Sequence, residues 1–241
     1  RSGGVRHSGI ARVGIGMTEP LIELNVVRYG RPGRPPVLSG VDFRLERGAR
    51  VGLIGANGAG KTTFLHLLVG LLKPTAGEIR ILGKVRKDED DFQEVRQRVG
   101  LVFQDADDQL FCPTVIDDVA FGPLNLGMSP GESREVARDT LRDVGLEGFE
   151  ERITYRLSGG EKRLVALATV LAMNPAVLLL DEPTNGLDQE SRRRILDVLQ
   201  RQSQAMIVVS HEHGFVDELS HRLVTLSSGT LREEPATSSS D

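Results

Sequence analysis

The stretch Gly55-Ala-Asn-Gly-Ala-Gly-Lys-Thr-Thr63 fits the phosphate-binding loop pattern G-x-x-x-x-G-K-[ST] at every position. The pattern needs a strand before it and a helix after it, because the helix must turn its free N-terminal amides toward the phosphates. Both flanks meet this condition, since 51–54 is typical of a short buried strand and 63–69 of a helix. The sequence therefore predicts a nucleoside triphosphate site.

Each residue type in this loop has a physical task. Glycines let the backbone curl into a nest of N–H donors without a Cβ in the way. Lys61 can place a compact charge on the β- and γ-phosphates, and the Thr62 hydroxyl can ligate Mg²⁺. The residues that we expect to bind ATP through this loop are Asn57, Gly58, Ala59, Gly60, Lys61, Thr62 and Thr63.

Bulk composition narrows the class of protein. The chain has 241 residues with 39% hydrophobic and 27% charged side chains, which is ordinary for a globular protein. Its longest apolar runs have the length of strands and are too short to span a bilayer. A net charge of −4 argues against a nucleic-acid surface, and the single Cys112 excludes an internal disulfide and a CxxC site.

Both ends differ from the rest of the chain. Residues 1–17 carry Gly, Arg and Ser without hydrophobic periodicity, and we interpret them as a tag, a linker or a disordered lead, with Met17 a plausible start. Residues 233–241 are polar and are predicted to be a disordered tail. One domain is expected over 18–232.

Two kinds of strand are predicted within this domain. The segments 21–27, 41–45 and 78–82 alternate in hydrophobicity and are bounded by turn residues, which favours a small antiparallel sheet. The segments 51–54, 99–103, 177–181 and 206–210 are continuously apolar, as expected of a parallel sheet that is buried on both faces. A further strand-like run covers 223–226.

Between about 105 and 172 the pattern becomes helical. One amphipathic helix is expected over 133–144, with Ser133 as its N-cap, and a second over 159–172. The charged run 84–91 mixes both signs and is interpreted as a solvated loop or helix face.

Two acids end the predicted strand 177–181. An acid at the carboxyl end of a central parallel strand lies beside the phosphate loop. Asp181 can therefore hold the hydration shell of Mg²⁺, and Glu182 can accept a proton from the water that attacks the γ-phosphate.

Two further motifs complete a resemblance to a known family. Leu157-Ser-Gly-Gly-Glu161 resembles the signature sequence of ATP-binding cassette (ABC) ATPases, and Asp181-Glu-Pro-Thr-Asn-Gly-Leu-Asp188 resembles their paired acids and D-loop. The resemblance runs from about Leu21 to Arg232. It implies an α/β fold: a P-loop NTPase core with an N-terminal antiparallel β subdomain and an inserted α-helical subdomain.

The resemblance also assigns three single residues. Tyr29 stands where the family places an aromatic ring on adenine, Gln104 matches the Q-loop glutamine, and His211 matches the switch histidine. Gln104 can touch Mg²⁺ or water by its carbonyl, and His211 follows a strand that ends at the ligand edge. The alternatives are a sheet-edge tyrosine, a capping glutamine and a metal site at His211-Glu-His213, while His66 is interpreted as a packing or surface residue.

Ser158, Gly159 and Gly160 offer free amides at a helix start, which makes a second anion site. The resemblance implies that two cassettes pair head to tail, so that each signature sequence caps the ATP of the other. Glu161 stands where many relatives carry Gln, and it keeps an acid near the start of the helix.

The segment from Gln104 to Gly127 resembles the Q-loop region of ATPases from energy-coupling-factor importers of cobalt, nickel or vitamins. Because the chain ends soon after its last strand-like run, we favour the cobalt/nickel type over the vitamin type. Other ABC transporters remain an alternative, as do DNA-repair, ribosome-associated and small-molecule phosphotransferase enzymes. Those three lack support, since the chain shows neither long heptads nor paired cassettes, and a phosphotransferase leaves the signature sequence unexplained.

Under this interpretation the chain is an ATP hydrolase that works with ATP and Mg²⁺. Its partners are a second ABC ATPase chain, identical or homologous, and integral membrane transporter subunits, and it lies peripherally on the cytoplasmic face of the membrane. Leu110, Phe111, Val115 and Phe121 follow the Q-loop glutamine and form either the core of the helical insert or a groove for the membrane partner.

Overall fold

A computed structural model describes residues 19–234 of the chain. The interpretation of 1–17 as a lead and of Met17 as a start lies outside the described residues, as does most of the predicted tail. Glu233, which was assigned to that tail, belongs to the last strand of the fold.

A six-stranded sheet forms the centre of the molecule. Its strands are β3 (Arg50–Ile54), β6 (Val99–Val102), β7 (Val177–Asp181), β8 (Ala205–Val209), β9 (Arg222–Ser227) and β10 (Thr230–Glu233). They lie in the order β10-β9-β3-β8-β7-β6, and all neighbours are parallel except β9 and β10. Every residue of β7 and β8 is buried, which explains why both strands are apolar apart from Asp181.

A four-stranded antiparallel sheet precedes and flanks the phosphate loop. It contains β1 (Ile22–Tyr29), β2 (Leu38–Leu45), β4 (Ala76–Ile81) and β5 (Lys84–Val85) in the order β2-β1-β4-β5. The pairing of β1 with β2 shifts register between Leu24 and Val27, which marks a β-bulge.

Helices cover the sheets. The helix α1 (Lys61–Leu68) follows the phosphate loop, and α2 (Glu89–Arg98) precedes β6. Between β6 and β7 lie α3 (Val115–Asn125), α4 (Pro130–Asp143) and α5 (Gly159–Leu171), with short 3₁₀ turns at Ala106–Asp108 and Thr154–Arg156. Finally, α6 (Gln189–Gln200) leads to β8, and α7 (His213–Leu219) leads to β9.

Two hydrophobic cores lie on opposite faces of the six-stranded sheet. Val177 and Leu179 of β7 belong to the core that also contains the antiparallel sheet and α1. Leu178 and Leu180 belong to the core shared with α3, α4 and α5. Because neighbouring residues of a strand point to opposite faces, one five-residue strand joins both cores. The predicted α/β architecture, with its antiparallel sheet and helical insert, is confirmed.

The predicted N-cap of α4 is wrong. Ser133 is not an N-cap: it is buried inside α4, where its hydroxyl donates to Ser129 O. The cap is Ser129, which forms a reciprocal capping box with Glu132 and is followed by Pro130 at the first helical position.

The charged run 84–91 is only partly a solvated segment. Arg86 is 3% exposed, and its guanidinium donates to Ile81 O and Asp91 O and pairs with Glu94 at 2.8 Å. A buried arginine is tolerated here because its donors meet carbonyls and a carboxylate. The Arg86 and Lys84 hydrogen bonds lower the pKa of the Glu94 carboxyl to about 2.

Candidate active site

The phosphate loop is held at the carboxyl end of β3. At Gly55, where φ is +154°, an added Cβ would lie 2.4 Å from Leu226 O. Gly60 precedes α1 with a left-handed φ of 102°, a conformation that is natural for glycine and strained for other residues. The glycines therefore allow the tight backbone curl that a nest of N–H donors requires.

Lys61 lies inside this loop. It is 8% exposed, and its ammonium donates to Gly55 O at 2.8 Å and to Ala56 O at 3.3 Å. These two loop carbonyls fix the position of the Lys61 ammonium. The loop can therefore bind a polyphosphate by both backbone donors and a cation.

Asp181 ends β7 next to Thr62. It is 3% exposed, and its Oδ1 atom is buried without a hydrogen-bond partner. Burial raises the pKa of the Asp181 carboxyl, and a hydrogen bond from the Thr62 side chain opposes that rise. A hydroxyl next to a buried carboxylate with a free oxygen fits Mg²⁺, which needs only one or two protein ligands besides phosphates and water.

Glu182 and His211 form a direct pair. Glu182 Oε2 lies 2.9 Å from His211 Nδ1 and also accepts the His211 backbone N–H at 3.3 Å. Glu182 has a positive φ of 47°, which is strained for a residue other than glycine. Strain of this kind persists where the surroundings enforce it, and here Glu182 N–H donates to Val209 O of β8.

The distant motifs meet around one cavity. Asp181 ends β7 and Glu182 follows it. His211 follows β8 after Ser210, and Gln104 follows β6 after Phe103, so all four come from the carboxyl edge of the parallel sheet. The cavity is lined by Asn57, Gly58, Lys61, Thr62, Gln104, Asp181, Glu182, Asn185 and His211. Of these, Asn185 was not predicted as a site residue, although it lies within the quoted D-loop motif.

Tyr29 lines a neighbouring cavity together with Thr63 and His66. Tyr29 is half-buried, and part of its side chain packs against the core. His66 was interpreted as packing or surface; it is half-buried and also lines a cavity with Gln104. Arg31 and Arg34 line the Tyr29 cavity as well, and no sequence motif marked them.

The signature residues lie elsewhere. Ser158 caps α5: Glu161 N–H donates to Ser158 Oγ at 3.3 Å, and Ser158 N–H donates to Glu161 Oε2 at 2.8 Å. The bond from the Ser158 backbone lowers the pKa of Glu161. An added Cβ at Gly160 would meet Ser191 Oγ at 2.2 Å, whereas at Gly159 it would meet nothing within 4 Å. Ser158, Gly159 and Gly160 do not line the cavity that contains Lys61.

The His211-Glu-His213 alternative gains no support. Within residues 19–234, no group of three His, Cys, Asp or Glu side chains is arranged to hold a metal ion. Among the described helices, none has both the length and the apolar character needed to cross a bilayer.

The chain is similar to known proteins of one family. Residues 38–185 match the ABC transporter family. The Energy-coupling factor transporter ATP-binding protein EcfA of Methanothermobacter thermautotrophicus is 47% identical over 89% of this chain and 70% of its own length.

Two solved structures share the fold. The cbiO1 protein of Clostridium perfringens, part of the ABC transporter complex cbiONQ, superposes with a TM-score of 0.81 at 30% identity and covers 89% of this chain and 88% of its own. A dimeric ATP-binding cassette bound to ADP and Pi superposes with a TM-score of 0.81 at 28% identity and covers 90% of this chain and 99% of its own. The chain therefore belongs to the ABC transporter family, as an ATPase whose ATP hydrolysis is coupled to transport.

Proposed function

We propose that this chain is the ATP-hydrolysing subunit of an energy-coupling-factor importer, of the cobalt/nickel type. The observation that carries the enzymatic part is the single cavity that joins the phosphate loop to Gln104, Asp181, Glu182 and His211. The importer part is supported by 47% identity to EcfA and by the likeness to cbiO1. Residues 18–232 are one nucleotide-binding domain, with its helical subdomain inserted at about 105–172.

Residues from several elements bind ATP and Mg²⁺. The loop amides and Lys61 hold the phosphates, and the Tyr29 ring stacks on adenine. Thr62 and Gln104 would hold Mg²⁺ directly and Asp181 would hold it through water, and the unpartnered buried Asp181 Oδ1 supports this assignment. When bound, Mg²⁺ stabilises the charge that develops on the transferring phosphoryl group.

Hydrolysis depends on Glu182 as the general base. Its carboxylate accepts a proton from the water that attacks the γ-phosphate, while His211 contacts that phosphate. The hydrogen bond between Glu182 Oε2 and His211 Nδ1 orients both side chains. Gln104, which follows the neighbouring strand β6, contributes its side chain to the same site.

Two chains are needed for a complete site. Ser158 and Gly159 are exposed at the start of α5 and lie outside their own cavity, so the Ser158 hydroxyl and the Gly159 amide are suited to the nucleotide of a second molecule. The dimeric cassette with ADP and Pi supports this model. The partner is an identical or homologous cassette, arranged head to tail.

Transport requires an integral membrane partner, and the chain would lie peripherally at the cytoplasmic face of the membrane. Cells that carry the chain and its partners should lose uptake of radiolabelled cobalt or nickel when Glu182 is replaced by Gln. Loss of labelled vitamin uptake with unchanged metal uptake would favour the vitamin-type alternative. Loss of neither would assign the chain to another ABC transporter.

A further inference from the structure

The backbone of Phe103, the residue before Gln104, forms hydrogen bonds with two side chains through its N–H and its C=O. Phe103 N–H donates to Gln109 Oε1 at 3.1 Å. Phe103 O accepts from Arg163 Nη1 of α5 at 2.9 Å. Phe103 lies immediately after the last residue of β6, so these two bonds fix the direction in which the chain enters Gln104.

Gln109 is itself anchored to α5. Its Nε2 donates to Ala166 O at 2.7 Å and to Thr169 Oγ1 at 2.8 Å. These partners determine the orientation of the Gln109 side-chain amide. The Phe103 N–H requires an acceptor, which is Oε1, and the Ala166 carbonyl requires a donor, which is Nε2. With both ends of the amide bonded, Gln109 has one geometry.

A third contact joins the same two segments. Lys162 of α5 pairs with Asp107 at 2.6 Å, and Arg163 beside it is 7% exposed. Successive turns of α5 therefore contact the loop 103–109, through Lys162 and Arg163, then Ala166, then Thr169. The loop and the helix are expected to move as one body, and Ser158 is the N-cap of that helix.

We propose that Gln109 is a positioning residue that holds Gln104 in the active-site cavity by tying the Phe103 backbone to α5. The inference rests on the proposed function, because it takes Gln104 to contact Mg²⁺ or the attacking water. It deepens that function, since any shift of the helix that carries Ser158 is transmitted to Gln104.

The test compares Gln109→Met with Gln104→Ala and with the double variant. Methionine keeps the length of the side chain and removes both hydrogen-bonding functions. Gln202→Met is the matched control, since Gln202 is also half-buried and its amide donates only to Val198 O near the end of α6. The readouts are kcat, the rise in melting temperature with ATP as Mg²⁺ is titrated, and the melting temperature without nucleotide.

We expect Gln109→Met to lower kcat about tenfold, as the loss of one positioning hydrogen bond in the transition state implies. More Mg²⁺ should be needed for the ATP-induced rise in melting temperature. In a Gln104→Ala background the same change should lower kcat less than about twofold, because its effect runs through Gln104. Gln109→Glu should restore part of kcat, since a carboxylate still accepts from Phe103 N–H. Gln202→Met should change neither kcat nor the Mg²⁺ requirement.

The outcomes separate the two proposals. If Gln104→Ala leaves kcat and the Mg²⁺ requirement unchanged, the proposed role of Gln104 is wrong. The inference is overturned if Gln104→Ala slows hydrolysis but Gln109→Met does not. It is also overturned if the fold-loss of kcat in the double variant equals the product of the two single losses, because Gln109 would then act independently of Gln104. If Gln109→Met does not fold, Thr169→Val serves instead, because it removes one hydrogen-bond partner of Gln109. Thr169→Val should lower kcat in the same way but by a smaller factor. Full activity in both Thr169→Val and Gln109→Glu would then overturn the inference.

Discussion

Glu182 Oε2 and His211 Nδ1 are 2.9 Å apart, although 29 residues separate the two in the chain. The pair forms because β7 and β8 are parallel neighbours, so that the residues after their carboxyl ends meet. Glu182 has a side chain that is 10% exposed, whereas that of His211 is 55% exposed. The acid is therefore held within the protein, and the more exposed histidine lines the cavity that contains Lys61.

The first prediction concerns Glu182 as the base. Glu182→Gln keeps the shape of the side chain and removes proton acceptance, so hydrolysis should slow by roughly 10²–10⁴ while ATP binding stays normal. An ATP-bound dimer should accumulate. Steady-state ATPase assays and nucleotide binding check this, with exposed Glu190→Gln as the control. Wild-type turnover in Glu182→Gln would remove Glu182 from the role of base.

The second prediction concerns the composite site. Ser158→Arg places a bulky side chain at the exposed start of α5 and leaves Lys61 and its loop untouched. We expect near-normal ATP binding and loss of ATPase activity, together with loss of the dimer in size-exclusion chromatography with ATP. Asp139→Arg, at an exposed position of α4, is the control for charge and size. A harmless Ser158→Arg, with specific activity independent of protein concentration, would contradict the two-chain model.

The phosphate loop and the two acids could be predicted from the sequence because each is a motif of consecutive residues. The sheet order then brings them together without further information. Ser129 could also have been found, since Ser129-Pro-Gly-Glu132 is a complete capping-box signal. Gln109 could not, because its partners Ala166 and Thr169 lie 57 and 60 residues further along the chain.

The β-bulge in β1 also escaped prediction, and it decides where Tyr29 points. Strict alternation from Ile22 and Leu24 would turn residues 26 and 28 inward, yet Val26 is 53% exposed and Val27 is buried. The bulge shifts the period, so Tyr29 shares the buried face with Val27. Val26 adopts a φ of 49°, and its N–H donates to Asp42 Oδ1 at 2.8 Å.

The third prediction follows from this strain. A β-branched residue at positive φ costs about 1–3 kcal/mol, and glycine costs only about 0.5–1 kcal/mol in extra unfolded-state entropy. Val26→Gly should therefore stabilise the protein by about 1 kcal/mol, or about 2–4 °C in melting temperature. Val27→Gly is the control: it removes a buried side chain and should destabilise by about 2–4 kcal/mol. A lower melting temperature for Val26→Gly would show that the left-handed conformation is not strained.

The fourth prediction concerns the membrane partner and divides the four apolar residues after Gln104. Val115 is fully buried and Leu110 packs against the second core, so these two belong to the interior. Phe111 is 66% exposed and Phe121 44% exposed, and their rings meet edge to face with centroids 4.8 Å apart. A solvent-exposed aromatic pair is suited to an apolar partner surface.

Phe111→Asp and Phe121→Asp should therefore abolish co-purification with the integral membrane subunits, while ATP binding and the melting temperature change little. Val115→Asp should instead unfold the protein, because it buries an unpaired charge. Asp108→Lys is the control for a change of charge, because Asp108 is exposed and polar and is close in sequence to Phe111. Pull-down from detergent-solubilised membranes and thermal melting, measured on the same preparations, separate docking from stability. Stable Phe111→Asp and Phe121→Asp proteins that still bind the membrane subunits would rule out this aromatic pair as the docking surface.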